Sequence, residues 1–317
     1  MDIKLRWRCC APSSFRVPGV IERIFYLKGV ALGACITEKM TGEGCEGPRI
    51  TPYSTRIFQG LIYFSSYLIF AFLALFFYLL ARILTLFFCR GKRQRVARYV
   101  MHLGARILVW GLRCVKFMNV NVNVKAQDES TCITSSHIVV ANHPSMLDAI
   151  FILSVVPNGI CIMKSSILKL PIISGFARLA GYILQSTGPG LIAASIEALE
   201  DGGTLIIFPE GTRSSQHGLG EFKRGASWIA AKTGLPVAVF GVRMTPVVLG
   251  RATPWWRVPR FPVRYEAVRI DTAKVEITGM AQNSEGFARN ERSNVIQFTK
   301  WLEDRIGNWV SSERRLS

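Results

Sequence analysis

The hydrophobic positions of this chain change their spacing three times, and each change predicts a different kind of element. Between Ile57 and Ala81 there is no charged residue, Phe and Leu dominate, and no polar face interrupts them. That run exceeds the roughly 20 residues a helix needs to cross a bilayer, so a transmembrane helix is expected within 57–89. From Tyr99 to Met118 the apolar positions become periodic. Leu103, Ile107, Leu108, Leu112 and Val115 recur at helical spacing, with Arg106, Arg113 and Lys116 beside them, which predicts an amphipathic helix. Such a helix, basic and interfacial over 90–118, either lies on a membrane surface or covers one face of a sheet. After Asn119 the apolar runs shorten and are rich in β-branched residues. Strands are expected at 119–125, 137–141, 160–163, 204–208 and 236–242, and helices from Pro144 to about Val155, near 166–179, near 189–200 and from Ala226 to Thr233. Val295, Phe298, Trp301, Leu302 and Ile306 place an amphipathic helix near the end. Alternation of this kind predicts an α/β domain over 119–317 with a mostly parallel sheet and flanking helices.

Charge changes the picture. The formal net charge is +18, with 39 Lys and Arg against 21 Asp and Glu. An excess this large fits nucleic acid or an anionic membrane. The distribution favours the membrane: no acidic residue occurs from Gly47 to Gln127, nor from Phe222 to Tyr265, and these stretches flank the apolar helix and the Trp255-Trp256 pair. No zinc-finger spacing, RNA-binding signature or helix-turn-helix pattern points to nucleic acid, so none is expected as a partner. Lys and Arg are denser after the apolar helix than before it. The positive-inside rule then places the following domain on the cytoplasmic face of a single-pass membrane protein. Residues 1–56 read as a poorly ordered extension, because Glu22, Arg23 and Lys28 interrupt any secretory signal and Thr41 to Pro48 is a loop. The eight cysteines are scattered without a Cys-x-x-Cys pair, as free thiols in a reducing compartment are.

Candidate chemistry sits at the end of the strand over Ile138–Ala141, where Asn142-His143-Pro144-Ser145-Met146-Leu147-Asp148 follows. Proline suits the first position of a helix and pushes the residue before it out of helical geometry. With His143 on the entering turn, its imidazole can fold back onto Asp148. That pairing would make a general base with a carboxylate to orient it. Ser145 lacks a Gly-x-Ser-x-Gly elbow and is a poor candidate nucleophile. A second cluster, Phe208-Pro209-Glu210-Gly211-Thr212-Arg213-Ser214, also follows a strand. Gly211 permits close approach of the backbone to a ligand, and Arg213 offers a planar fork suited to phosphate. In parallel sheets, ligands gather at the carboxyl ends of strands, so the two clusters can share one crevice.

Together, and in this order, the two clusters resemble the His-x4-Asp and Phe-Pro-Glu-Gly-Thr-Arg motifs of the membrane glycerolipid acyltransferases, the lysophosphatidic acid acyltransferase family. The resemblance covers roughly Val120 to Val248. It implies a membrane-bound O-acyltransferase with His143 as base and Asp148 as its orienter. Glu210, Gly211, Thr212 and Arg213 would bind the acceptor, a lysophospholipid such as 1-acyl-sn-glycerol-3-phosphate. The acyl donor would be acyl-CoA or acyl carrier protein, used as a substrate, with no metal or other cofactor. The family usually carries a Gly-x-Ile-Phe-Ile-x-Arg segment whose arginine grips the acceptor phosphate. Here Gly181-Tyr-Ile-Leu-Gln-Ser-Thr187 puts a threonine in that place. Lys164, Arg178 and Arg224 are the candidate replacements, unless the acceptor lacks a phosphomonoester, as an ornithine lipid, glycolipid or specialised polyene product does. The reading from another class is a catalytically silent adaptor that uses its basic face on anionic lipid.

Overall fold

A computed structural model describes residues 53–114, 118–123, 138–169, 171–185, 189–215, 218–275 and 284–312. The expectations for residues 1–52 and for Thr187 lie outside the described residues. Two long helices come first, α1 (Tyr53–Leu86) and α2 (Arg90–Cys114). Strand β1 (Met118–Asn123) precedes β2 (Ile138–Ala141), α3 (Asp148–Leu153) and β3 (Gly159–Met163). A 3-10 turn over Ser165–Lys169 leads to α4 (Pro171–Ala180), β4 (Ile183–Leu184), α5 (Pro189–Glu200) and β5 (Thr204–Ile207). Then come α6 (Gly225–Thr233), β6 (Val237–Thr245), β7 (Val263–Ala273) and α7 (Ser284–Ser312).

The strands form a seven-stranded sheet in the order β1-β7-β6-β2-β5-β3-β4. Every pairing is parallel except β6 with β7. Strands β2, β5 and most of β6 are fully buried, which is why they read as continuous Val, Ile, Leu and Ala runs rather than as alternations. One face of the sheet carries Phe151, Ile152, Phe240, Tyr265 and Met118 in a core shared with α2 and α3. The other buries Ile229, Leu205, Val295, Leu302 and Ile306 beneath α6 and α7. Arg305 pairs with Asp271 at 2.8 Å and Lys232 with Glu291 at 2.7 Å, tying α7 to its neighbours.

Two differences from the expected elements bear on function. The helix expected from Pro144 begins only at Asp148, because residues 144–147 form turns held to another loop. Strand β7 has no counterpart among the expected strands. Its inward positions Val263, Tyr265 and Ala267 alternate with Arg264 and Glu266, and the pattern ends on a buried Arg269.

Helix α1 is the one described helix long and apolar enough to cross a membrane. A stripe of Tyr63, Phe77, Ala81 and Thr85 is buried, while Leu61, Leu68, Phe72, Phe76 and Ile83 on other faces are exposed. Phe77 approaches α2 at Gly104, where a Cβ would stand 2.9 Å from the ring. Helix α2 covers the core with Ala97, Val100, Ala105 and Val109, and its Arg98 is buried. The Arg98 guanidinium donates to Ala180 O at 2.7 Å and to Asn158 Oδ1 at 3.3 Å. So α2 covers the sheet, and it still shows Lys92, Arg93, Arg106 and Trp110 to the outside.

Candidate active site

The carboxyl ends of β2 and β5 lie side by side, so the loops that follow them meet. The Asn142 side chain locks the first loop to β6, donating to Val242 O at 2.8 Å and accepting from Val242 N at 2.7 Å. His143 then turns back as expected. Its Nδ1–H donates to Asp148 Oδ2 at 2.9 Å, which fixes the tautomer and leaves Nε2 as the lone-pair nitrogen. Asp148 Oδ2 also accepts from Ser145 N at 2.7 Å. Phe208 stacks on the imidazole with centroids 4.2 Å apart. His143 is part-exposed, whereas Asp148 is fully buried. Burial pushes the Asp148 carboxyl up from the usual carboxylate range; the hydrogen bond and charge of His143 pull the other way.

Glu210 joins the two motifs. Its Oε1 accepts from His143 N at 3.1 Å and from Ser214 Oγ at 2.6 Å, and its Oε2 accepts from Gly220 N at 2.9 Å. Ser214 N returns a bond to His143 O at 2.7 Å. Arg213 is likewise engaged, donating through Nη1 to Leu249 O and Gly250 O, both at 2.8 Å. Leu249 sits at φ 52, a region a leucine rarely adopts, and its carbonyl also accepts from Met146 N. Ser145 is buried, with Oγ donating to Val248 O at 2.7 Å and accepting from Leu147 N. Its hydroxyl is committed to the loop, in keeping with its poor standing as a nucleophile.

His143 opens onto a cavity of about 610 Å³. Thr212, Gly211, Arg213, Lys164 and Lys223 line it, together with Phe70, Leu73, Phe77, Met101 and Leu108 of α1 and α2. Gly211 has φ +64, and a Cβ there would stand 2.8 Å from Lys223 Nζ and 3.1 Å from Gln185 Nε2. The glycine therefore brings backbone, ammonium and amide into one small polar space. Among the sequence candidates, the structure brings His143, Asp148, Glu210, Gly211, Thr212, Arg213 and Lys164 together. It does not bring Arg178 or Arg224, which are exposed and outside the cavity lining. Arg224 occupies the N-cap of α6, and its neighbour Lys223 takes the cavity position. Lys223 and Gln185 are the members that sequence reasoning did not single out. The Phe222-Lys-Arg-Gly225 segment was a visible signal, but which of two adjacent cations faces inward is decided by the bend into α6.

Residues 121–249 match the acyltransferase family model. A chloroplastic 1-acyl-sn-glycerol-3-phosphate acyltransferase of Brassica napus is 37% identical over 105 residues, 32% of this chain and 30% of that protein. The chloroplastic enzyme of the same description from Arabidopsis thaliana is 33% identical over 121 residues, 37% of this chain and 34% of that protein. The chain thus spans about a third of the length of these two relatives. The crystal structure of the 1-acyl-sn-glycerophosphate acyltransferase PlsC from Thermotoga maritima shares the fold, with a TM-score of 0.56 at 23% identity, covering 78% of this chain and 97% of that one. Over residues 121–249 this chain thus carries an acyltransferase domain, similar in sequence to 1-acyl-sn-glycerol-3-phosphate acyltransferases.

Proposed function

We propose that this protein is a membrane-attached O-acyltransferase that moves a fatty acyl group from a thioester to a hydroxyl of a lysophospholipid, 1-acyl-sn-glycerol-3-phosphate foremost, in phospholipid biosynthesis. The observation that carries the reading is the His143–Asp148 pair, whose histidine lines a largely apolar cavity. His143 Nε2 takes the proton of the acceptor hydroxyl as its oxygen attacks the thioester carbonyl. The tetrahedral intermediate collapses, the C–S bond breaks, and the leaving thiolate recovers the proton from the imidazolium. Asp148 holds the ring and offsets its transient charge; general-base assistance of this kind is worth roughly 10²–10⁴-fold. The donor, acyl-CoA or acyl carrier protein, is consumed as substrate, and the chemistry calls on no metal. Lys164, Lys223 and Arg213 are the cations of the cavity lining available to the acceptor phosphate, Arg213 with its Nη1 held by the 249–250 backbone. The test offers lysolipids with labelled acyl-CoA or acyl carrier protein to the solubilised full chain and identifies the product by mass. No acyl transfer from either donor would refute the reading and favour the silent adaptor.

Attachment rests on α1 and on the basic surface, which attracts anionic lipid at about 1 kcal/mol per cation near the surface. Apolar length favours a single crossing, and the excess of Lys and Arg after the helix would put the catalytic domain in the cytoplasm. Packing favours a second arrangement, with α1 embedded lengthwise in one leaflet. Its buried stripe from Tyr63 to Thr85 runs about 33 Å along the helix, as long as the hydrocarbon core is thick. A crossing α1 would carry α2, with exposed Arg93, Arg95 and Arg106, into hydrocarbon, at several kcal/mol per charge. Cysteines placed at Arg56 and kept at Cys89, probed in sealed vesicles with an impermeant maleimide, separate the two: labelling of both from one side supports the embedded arrangement, and opposite sides support the crossing.

A further inference from the structure

Asp148 presents two oxygens, and the chemistry above uses one. Oδ2 takes the His143 Nδ1–H and the Ser145 backbone N–H. Oδ1 is buried and makes no hydrogen bond of ordinary length among the described residues. A buried carboxylate oxygen left bare is costly. Among the described residues one other buried side-chain atom shares this state, the hydroxyl of Tyr265. Tyr265 stands on β7 opposite Val120 of β1 and Met244 of β6 and is 1% exposed. Its ring lies against Phe151, one turn along α3 from Asp148, with centroids 4.3 Å apart. The phenol therefore comes up beneath the helix that carries the carboxylate. The two groups also interact electrostatically. Burial first, and then the charge of Asp148, holds the proton on the phenol, keeping it a donor throughout the physiological range.

We propose that Tyr265 is a positioning residue of the catalytic dyad, its hydroxyl donating to Asp148 Oδ1 in the working enzyme. Catalytic hydrogen bonds are often long in a ligand-free site and tighten in the complex. With Oδ1 held, the carboxylate cannot rotate, and Oδ2 stays aimed at His143 Nδ1. The groups that face Asp148 are then His143 and Ser145 N from the loop after β2, Glu210 from the loop after β5, and Tyr265 from β7. Glu210 is the one among them that disfavours the carboxylate charge. Tyr265 opposes it as a hydrogen-bond donor from β7. The proposal rests on the acyltransferase reading for its kinetic consequences but not for the contact itself.

The test uses Tyr265→Phe in the full chain, which keeps the ring and removes only the hydroxyl. Loss of a donor to a charged acceptor is expected to lower kcat about tenfold with the acceptor KM little changed. The acid limb of the pH–rate profile should move up by about half a unit or more, because a less shielded carboxylate holds the imidazolium proton more tightly. A double-mutant cycle on thermal unfolding, pairing Tyr265→Phe with Asp148→Ala, reads the contact without any activity. Tyr265→Phe should lower the midpoint by about 2–4 °C in the parent and by less than half of that when Asp148→Ala is already present. A Tyr265→Phe chain that folds only alongside Asp148→Ala would report the same coupling. A chain with kcat within twofold, an unmoved acid limb and equal midpoint shifts in both backgrounds would overturn the proposal and leave Tyr265 as a core aromatic. Should the parent transfer no acyl group at all, the function reading fails, while the cycle still decides whether the two side chains touch.

Discussion

Asp148→Asn should separate activity from stability, in opposite directions. In the folded chain Asp148 is fully buried, and burial raises its pKa above the ordinary 3.8 despite the bonds from His143 and Ser145 N. A carboxyl whose pKa is raised by folding binds its proton more tightly folded than unfolded. Its contribution to stability is therefore fully present below pH 3.8 and is lost as pH rises through the folded value. Each unit of the raise costs about 1.4 kcal/mol at neutral pH, and no solvent screening reduces it for a group with no exposure. The amide of the variant carries no charge and has no such cost. One oxygen, Oδ2, takes both the Ser145 N–H and the His143 Nδ1–H, so an amide oxygen in its place keeps both bonds. Replacing the buried carboxylate by a neutral amide that keeps those hydrogen bonds is expected to stabilise by on the order of 1 kcal/mol, or about 2–4 °C in midpoint for a chain of this size. The same swap removes the counter-charge of the imidazolium that forms when His143 takes the proton of the acceptor hydroxyl. In a serine-protease triad the equivalent change costs about 10⁴-fold, and a loss of 10³-fold or more is expected here. The assay pairs single-turnover acyl transfer with thermal unfolding from pH 4.5 to 8. The midpoint advantage of the variant should be smallest at the acid end of that range, grow with pH, and level off above the folded value. A variant destabilised at pH 7, or one retaining more than about a hundredth of the activity, would refute the reasoning.

His143→Ala should abolish transfer with the fold intact, since its backbone carries the bonds to Glu210 and Ser214; circular dichroism and residual rate check this together. Lys223→Ala should raise the acceptor KM for a phosphomonoester about five- to tenfold, whereas Arg224→Ala, outside the cavity, should change it less than twofold. Gly104→Ala places a methyl 2.9 Å from the Phe77 ring and should shift donor preference toward shorter acyl chains by roughly tenfold, read as a ratio of kcat/KM values for two chain lengths.

Much of the site was legible because its logic is local. Strand β2, the break at His143-Pro144 and the carboxylate at Asp148 lie within a dozen residues, and a turn that pairs them can be read from proline geometry alone. The apolar run of α1 was equally plain, since its composition admits few other readings. What escaped depends on contacts between distant parts of the chain. Tyr265 is set on a strand whose alternation of Val, Tyr and Ala with Arg and Glu does not stand out in a basic, loop-like stretch, and its inward face ends on Arg269 rather than an apolar residue. Glu210 and Arg213 were expected to bind the acceptor, from charge and motif. Within the chain they also bond the backbones of His143, Gly220, Leu249 and Gly250 and the hydroxyl of Ser214, which no spacing rule reaches. The amphipathic pattern of α2 could not decide between membrane and sheet, and the structure shows why: one face covers the core while another keeps its cations outside.

The loop between β6 and β7 explains why these motifs hold residues with no evident chemistry. Val248, Leu249 and Gly250 offer three carbonyls in succession, and they collect Ser145 Oγ, Met146 N and two bonds from Arg213. The His143 turn on one side and the Gly211 turn on the other are thus both fastened to a third, distant segment. Leu249 holds its carbonyl in place only by adopting a left-handed backbone, a conformation that costs on the order of 1 kcal/mol for a branched side chain. Strain of that size persists where surrounding bonds over-determine it, and four such bonds converge here. A base that must meet a hydroxyl within a few tenths of an ångström needs its loop fixed more tightly than one helix N-terminus can manage. On this view Ser145 and Arg213 act on the reaction by immobilising His143 and the Gly211 turn, and the antiparallel pair β6–β7 serves the site twice, through the carbonyls of its connecting loop and through Tyr265 beneath the carboxylate.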